Sequence, residues 1–366
     1  MTPKSIQTFL VRLPLNLRSN RWFQIIGGQL FFSSSRHKKF WSERSIDPQS
    51  MLSDSFHRVY VRVPRLLKKP QSFSPKSHGF LIPHLGRFGN AVREVISAVA
   101  AATDLNMGHI YLHGDNVFAH GSDLPNPGIH TTSRGLKVWI DHPLDGRGES
   151  PDVLISWKRG VFPISENASQ AAWSDAQSVL GLAPVEQYLS RDTLVIHLRG
   201  GDVFGERNVL QYGQPPLAYY LAVLNHQLWG GVILVHQDHR NPVLEKIASE
   251  CAKRALPCEL VSGFLRDDVA LLLRAHVLVA GRGTFIPAVA GMSAALSEVY
   301  YFEDKFLILP ERNDLKIWRV KDTLGIYKKQ VLSSNWINSP AQRDLMMSYS
   351  IEHLGVEAPS SGSPRE

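Results

Sequence analysis

Short, uninterrupted apolar runs alternate with amphipathic stretches through the second half of the chain. Residues 194–198, 232–235, 259–261, 277–280 and 299–302 read as strands, separated by helical periodicity near 217–228, 243–252, 267–274 and from Phe285 onward. Continuous apolar strands bounded by helices are what a parallel sheet covered on both faces requires. The pattern predicts a Rossmann-like domain over residues 191–335.

The first half is less regular. A strand at 80–82, an apolar stripe at helical spacing (Ala91, Val95, Ile96, Val99, Ala102) and a strand at 109–112 predict the start of a second α/β domain over 76–190, with Asn90 as helix cap. Residues 114–132, full of Gly, Pro, Asn and Asp, read as a long loop covering a site. Residues 1–75 form a basic extension read as irregular apart from the alternation Val59-Tyr60-Val61-Arg62-Val63, with a Pro/Ser break at 68–76. Residues 336–366 read as a helix followed by a Ser/Pro-rich disordered tail from Pro359. No internal repeat is seen.

At 366 residues and 43% hydrophobic, the chain can bury two ordinary cores. Its net charge of +7 suits an anionic partner without choosing between nucleotide, membrane and nucleic acid. Aromatic residues are not clustered with the basic extension and no reader motif occurs, so no nucleic-acid role is expected. Cys251 and Cys258 are the only cysteines and outline no disulfide framework. The most apolar N-terminal stretch, 23–32, is interrupted by Gly27, Gly28 and Gln29 and falls short of the roughly 20 residues that span a bilayer. A cytoplasmic protein is expected, with peripheral contact between its basic extension and the inner face of a membrane as an additional reading. Asn167-Ala168-Ser169 reads as a chance sequon.

In open parallel sheets ligands sit beyond the carboxyl ends of the strands. Here the first strand of the second domain contains His197 and runs into Arg199-Gly200-Gly201-Asp202, a guanidinium beside two glycines that let a ligand approach the backbone. The next runs into His236-Gln237-Asp238-His239-Arg240-Asn241, longer than a tight turn needs. The strand at 277–280 runs into Gly281-Arg282-Gly283-Thr284, where Thr284 can cap the following helix while backbone N–H groups hold a phosphate. Each loop alone could be an ordinary polar turn, and His236 with His239 lacks the companions of a zinc site. Their sharing one sheet edge favours a site. No Gly-x4-Gly-Lys-Ser/Thr phosphate loop occurs, Gly281-Arg282-Gly283 lacks the third glycine of a dinucleotide fingerprint, and no Asp-x-Asp metal-diphosphate pair is present.

His197-Leu198-Arg199-Gly200-Gly201-Asp202 resembles the His-x-Arg-x-x-Asp motif of the α-1,2-, α-1,6- and protein O-fucosyltransferases. Leu85-Gly86-Arg87-Phe88-Gly89-Asn90 is similar to their N-terminal Gly-x-x-Gly-Asn loop, Asp268 matches their guanine-reading Asp, and Gly283-Thr284-Phe285 resembles their phosphate-contacting segment. Where the α-1,2 and α-1,6 enzymes carry an arginine doublet, this chain has Arg199-Gly200, leaving Arg282 or Arg240 to supply a second guanidinium. The resemblance implies a GT-B-like pair of Rossmann-type domains and an inverting, metal-independent transfer of fucose from GDP-fucose to a carbohydrate hydroxyl, with no further cofactor. It implies a donor site from His197, Arg199, Gly200, Gly201, Gln237, Asp238, Asp268, Arg282, Gly283, Thr284 and Phe285. A cleft loop of Gly86, Arg87, Gly89 and Asn90 faces it, and His84, Asp202 and Glu206 are candidate general bases beside Arg199. The rival reading is a non-catalytic binder of nucleotide sugars or anionic polymers.

Overall fold

The computed structural model describes residues 23–26, 29–32, 59–60, 78–82, 88–112, 128–140, 153–157, 164–205, 210–303, 312, 314–332 and 335–358. The chain divides into two compact units, Met1–Leu182 and Ala183–Glu366.

In the first unit, β1 (Phe23–Ile26) and β2 (Gln29–Phe32) form an antiparallel pair of their own. A six-stranded sheet then joins β3 (Val59–Tyr60), β4 (His78–Ile82), β5 (His109–Leu112), β6 (Gly128–Thr131), β7 (Lys137–Ile140) and β8 (Val153–Ser156) in the order β3-β8-β4-β5-β7-β6. The four central strands are parallel and the edge strands β3 and β6 antiparallel. The extension read as irregular therefore carries a hairpin-like pair, and the alternation read from Val59 supplies the edge strand β3. The loop read over 114–132 ends in a strand, because His130 and Thr131 find ladder partners on β7.

Helix α1 (Phe88–Asp104) buries one face: Ala91, Val95, Ile96, Val99 and Ala102 are nearly inaccessible to water. It stops where Asn106 takes a left-handed φ of 54° and the Met107 N–H returns to the Ala102 carbonyl. Asn90 lies inside its first turn with an exposed side chain, so the expected cap is corrected: the helix starts upstream of it, at Phe88. Two short helices, α2 (Glu166–Ser174) and α3 (Ala176–Val179), follow β8, α2 capped by the Ser165 hydroxyl.

Among its described residues the second unit forms a seven-stranded sheet of β9 (Thr193–Leu198), β10 (Gly231–His236), β11 (Cys258–Val261), β12 (Val277–Val279), β13 (Glu298–Phe302), β14 (Lys316–Asp322) and β15 (Leu354–Glu357). Their order is β11-β10-β9-β12-β13-β14-β15, with the first six parallel and β15 antiparallel at the edge. Numbered from β9, the parallel strands run 3-2-1-4-5-6, the doubly wound order, which reverses direction between β9 and β12. Helices α4 (Leu217–His226), α5 (Val243–Lys253), α6 (Leu265–Leu273) and α7 (Phe285–Met292) follow β9 to β12. Leu194, Ile196, Leu234, Val279, Tyr219 and Trp336 are among the residues of its core. After β14 the chain adds a π-helical turn at Lys328–Leu332 and α8 (Pro340–Ser348), begun by a reciprocal capping box between Ser339 and Gln342. Both units are thus Rossmann-type, and the C-terminal one has the parallel sheet its periodicity predicted.

Candidate functional site

The ends of β9 and β12, at the reversal of strand order, carry most of the predicted residues. At the end of β9 the His197 ring lies flat on Phe285, with centroids 4.5 Å apart and planes 3° from parallel. Burial, with the Arg199 charge adding to it, lowers the His197 pKa to about 3. The imidazole is therefore neutral at any working pH, and its Nδ1 is buried with no hydrogen-bond partner among the described residues. Its contact with Phe285 seats the first residue of α7 against the strand end.

Arg199 projects from the loop after β9. Its guanidinium lies over the Tyr212 ring, 4.2 Å from the centroid, and Nη2 is 3.6 Å from Asp202 Oδ1. The turn beyond it needs its glycines. Gly201 has a left-handed φ of 61°, and a Cβ on Gly200 would stand 2.3 Å from Asp238 Oδ1. Asp238 Oδ2 accepts the Gly201 N–H at 2.9 Å and Oδ1 accepts the Arg240 N–H at 3.0 Å. The loop after β10 therefore clamps the loop after β9, and Gln237 packs beneath Gly201, its amide 2.7 Å from where a Cβ would be. Asn241, buried, donates to the Arg199 carbonyl at 3.0 Å and accepts the Val243 N–H at the start of α5.

From β12, Gly281 packs against the His197 carbonyl, where a Cβ would stand at 3.1 Å. Gly283, at φ 133°, sits so close to Arg199 that a Cβ there would be 2.8 Å from Nη1. The Arg282 N–H donates to Gln214 Oε1 at 3.2 Å and its Nη1 to the Leu332 carbonyl at 2.7 Å. The other candidate for a second guanidinium, Arg240, faces the Gly201 carbonyl and the Asp238 carboxylate. Thr284 occupies the cap position of α7 in a helical conformation (φ −92°, ψ −1°) and makes no side-chain cap bond. The expected capping role is thereby corrected. With helical rather than extended backbone at the cap, the hydroxyl is not aimed at the first-turn N–H groups. Pro287 falls in that first turn and has no N–H to satisfy.

Asp268 lies on the β11 side, in the first turn of α6. Its Oδ1 accepts the Gly263 N–H at 3.2 Å, and desolvation raises its pKa to about 6. It is joined to the loop after β10 through Ser262, whose hydroxyl is 3.5 Å from the Gln237 carbonyl. His84, Gly86, Arg87 and Glu206 lie outside the described residues; Gly89 is buried in the first turn of α1. His236 and His239 face each other edge to face at 4.9 Å, and among the described residues no group of three or more His, Cys, Asp or Glu is gathered to hold a metal ion. No helix of the described residues is long and apolar enough to cross a membrane.

Sequence reasoning missed Tyr212 and Gln214, and gave Asn241 no role beyond its place in the polar loop after β10. Gln214 is completely buried, and its signal was a polar residue between Gly213 and the pair Pro215-Pro216. Gly213 permits a close approach, since a Cβ there would be 2.2 Å from the Val331 carbonyl.

No protein-family model matches the chain, and no curated protein sequence matches it. Among solved structures, it is similar to the bacterial iron-containing dodecameric glycosyltransferase TibC from enterotoxigenic E. coli, at 9% identity over 74% of each chain with a TM-score of 0.36. It is also similar to E. coli heptosyltransferase WaaC with ADP, at 9% identity over 72% of this chain and 96% of that one (TM-score 0.37). A third similarity is to E. coli ADP-heptose LPS heptosyltransferase II, at 12% identity over 57% and 61% (TM-score 0.22). The identities are low and the superpositions loose, and the chemistry of the site rests on this chain's own residues.

Proposed function

We propose that the chain is an inverting glycosyltransferase with a GT-B-like pair of domains, moving fucose from GDP-fucose to a carbohydrate hydroxyl. The observation that carries the reading is Arg199. It is held at the end of β9, at the reversal of strand order, against the glycine turn that opens α7. A diphosphate placed there meets a guanidinium, which presents planar N–H pairs to phosphate oxygens, and the positive end of a helix.

In the reaction the acceptor hydroxyl oxygen forms a bond to the anomeric carbon from the side opposite the leaving group. The bond from that carbon to the diphosphate oxygen breaks, GDP departs with the electron pair, and the hydroxyl proton passes to a general base. Arg199 and the first-turn N–H groups of α7 take up charge on the departing diphosphate. Asp202, His84 and Glu206 remain the candidate bases. Asp202 is paired with Arg199, which suits a carboxylate that orients the guanidinium. Asp268, buried enough to select its partner yet ionised above pH 6, suits the side-by-side N1–H and amine of guanine.

The test combines binding with turnover. Titration calorimetry with GDP, ADP and UDP reads base choice, and release of free sugar from GDP-fucose without acceptor separates an enzyme from a binding module. Equal affinity for GDP and UDP removes the guanine assignment. Binding without hydrolysis or transfer removes the enzyme.

A further inference from the structure

The segment from Tyr212 to Gln214 touches both loops of the site, although neither residue belongs to a motif. Tyr212 closes the short 3-10 turn Leu210–Tyr212, its ring under the Arg199 guanidinium. Its carbonyl accepts Gln214 Nε2 at 2.8 Å, while Gln214 Oε1 holds the Arg282 N–H of the other loop. The Gln214 carbonyl is in turn held by the Tyr327 hydroxyl at 2.7 Å. The ring that carries Arg199 is therefore anchored to the fully buried strut that sets the loop after β12.

We propose that Tyr212 is a positioning residue for Arg199, holding the guanidinium in one plane so that its N–H pairs meet a diphosphate without a search. The proposal rests on the nucleotide-sugar reading of the site. An arginine side chain has several torsions to order, and an ion pair at 3.6 Å, as with Asp202, does not by itself fix the plane of the guanidinium. An aromatic face beneath it removes that freedom, and the attraction of a cation for the ring quadrupole supplies the energy. Asp202 lies at the edge and Gly283 on the flank, where any larger residue would push Arg199 off its seat. The Tyr212 hydroxyl makes no hydrogen bond among the described residues, so the ring face is the part that acts.

The test uses the full chain and calorimetry with GDP and with guanosine. Tyr212→Leu is expected to weaken GDP binding by about 3- to 30-fold, the range of a lost cation–π contact, and to leave guanosine binding unchanged. Tyr212→Phe is expected to keep the wild-type GDP affinity. In the double variant with Arg199→Ala, Tyr212→Leu should add nothing further, because it acts through the arginine. Tyr212→Met, flexible and without a π face, serves if the Leu variant does not fold. Equal losses in the Leu and Phe variants, equal losses for GDP and guanosine, or full additivity with Arg199→Ala would each overturn the proposal while leaving the nucleotide site standing. A wild-type chain that binds GDP no better than guanosine would remove both.

Discussion

Replacing Asp268 by Asn should make the protein more stable at neutral pH and a poorer binder of guanine. The carboxyl is held at about 6 because burial near the start of α6 strips water from it, against an ordinary value near 3.9. The single Gly263 N–H it accepts offsets part of that cost. Keeping this group ionised in the folded state therefore costs at most about 3 kcal/mol, and partial solvent contact reduces this to roughly 1–2 kcal/mol. A neutral amide keeps an oxygen for the Gly263 N–H and escapes the charge penalty. The folded pKa lies above the unfolded one, so the group's favourable contribution is fully present below about pH 4 and is lost as pH rises through about 6. Urea denaturation of both proteins at pH 4, 6 and 8 should show the variant gaining about 1–2 kcal/mol at pH 8 and nothing at pH 4. Calorimetry at pH 8 should show GDP binding weakened by on the order of 1–3 kcal/mol, with UDP unaffected. A variant equally stable or less stable at pH 8 would refute the desolvation argument. A stabilised variant with unchanged GDP affinity would instead separate Asp268 from the base.

Arg199→Ala and Arg199→Lys should each abolish most transfer in a folded protein, since an ammonium can neither span two phosphate oxygens nor cover the Tyr212 ring while reaching Asp202; wild-type turnover in the Lys variant sinks the diphosphate role. Gly200→Ala should destabilise by about 1–3 kcal/mol, because the added methyl meets the Asp238 carboxylate that clamps the turn; an unchanged denaturation midpoint counts against that clamp. Saturating chelator should leave transfer intact, the donor charge being met by arginine and helix N–H groups; loss of activity restored by manganese or magnesium would show a metal site.

The alternation of apolar strands and amphipathic helices was enough to locate β9 to β13 and their helices, because a strand buried on both faces has no choice but to be apolar throughout. The same rule is silent at the edges. β11, exposed at Glu259 and Leu260, was still read over 259–261, whereas β6 lies at the end of a Gly/Pro-rich run and β15 pairs antiparallel beyond a helix; each of these two is a strand because a neighbour's ladder was waiting for it. The polar strand-end loops were visible because a tight turn needs few residues, and Arg199 and the glycine turn lie in them, whereas Asp268, inside α6, was singled out only by resemblance. What composition could not carry was the division of labour among them. Asp238 is a clamp on Gly201, Arg282 is turned to the Leu332 carbonyl, Thr284 does not cap, and His197 is a neutral platform for Phe285. Apart from the local geometry at Thr284, those assignments depend on contacts between residues far apart in sequence, Gly201 with Asp238, Arg282 with Leu332 and His197 with Phe285. Tyr212 and Gln214 show this most plainly, since no local pattern distinguishes an aromatic under an arginine from any other aromatic. Only the return of the chain after β9, past Gly213 and against Val331, brings that ring beneath the guanidinium.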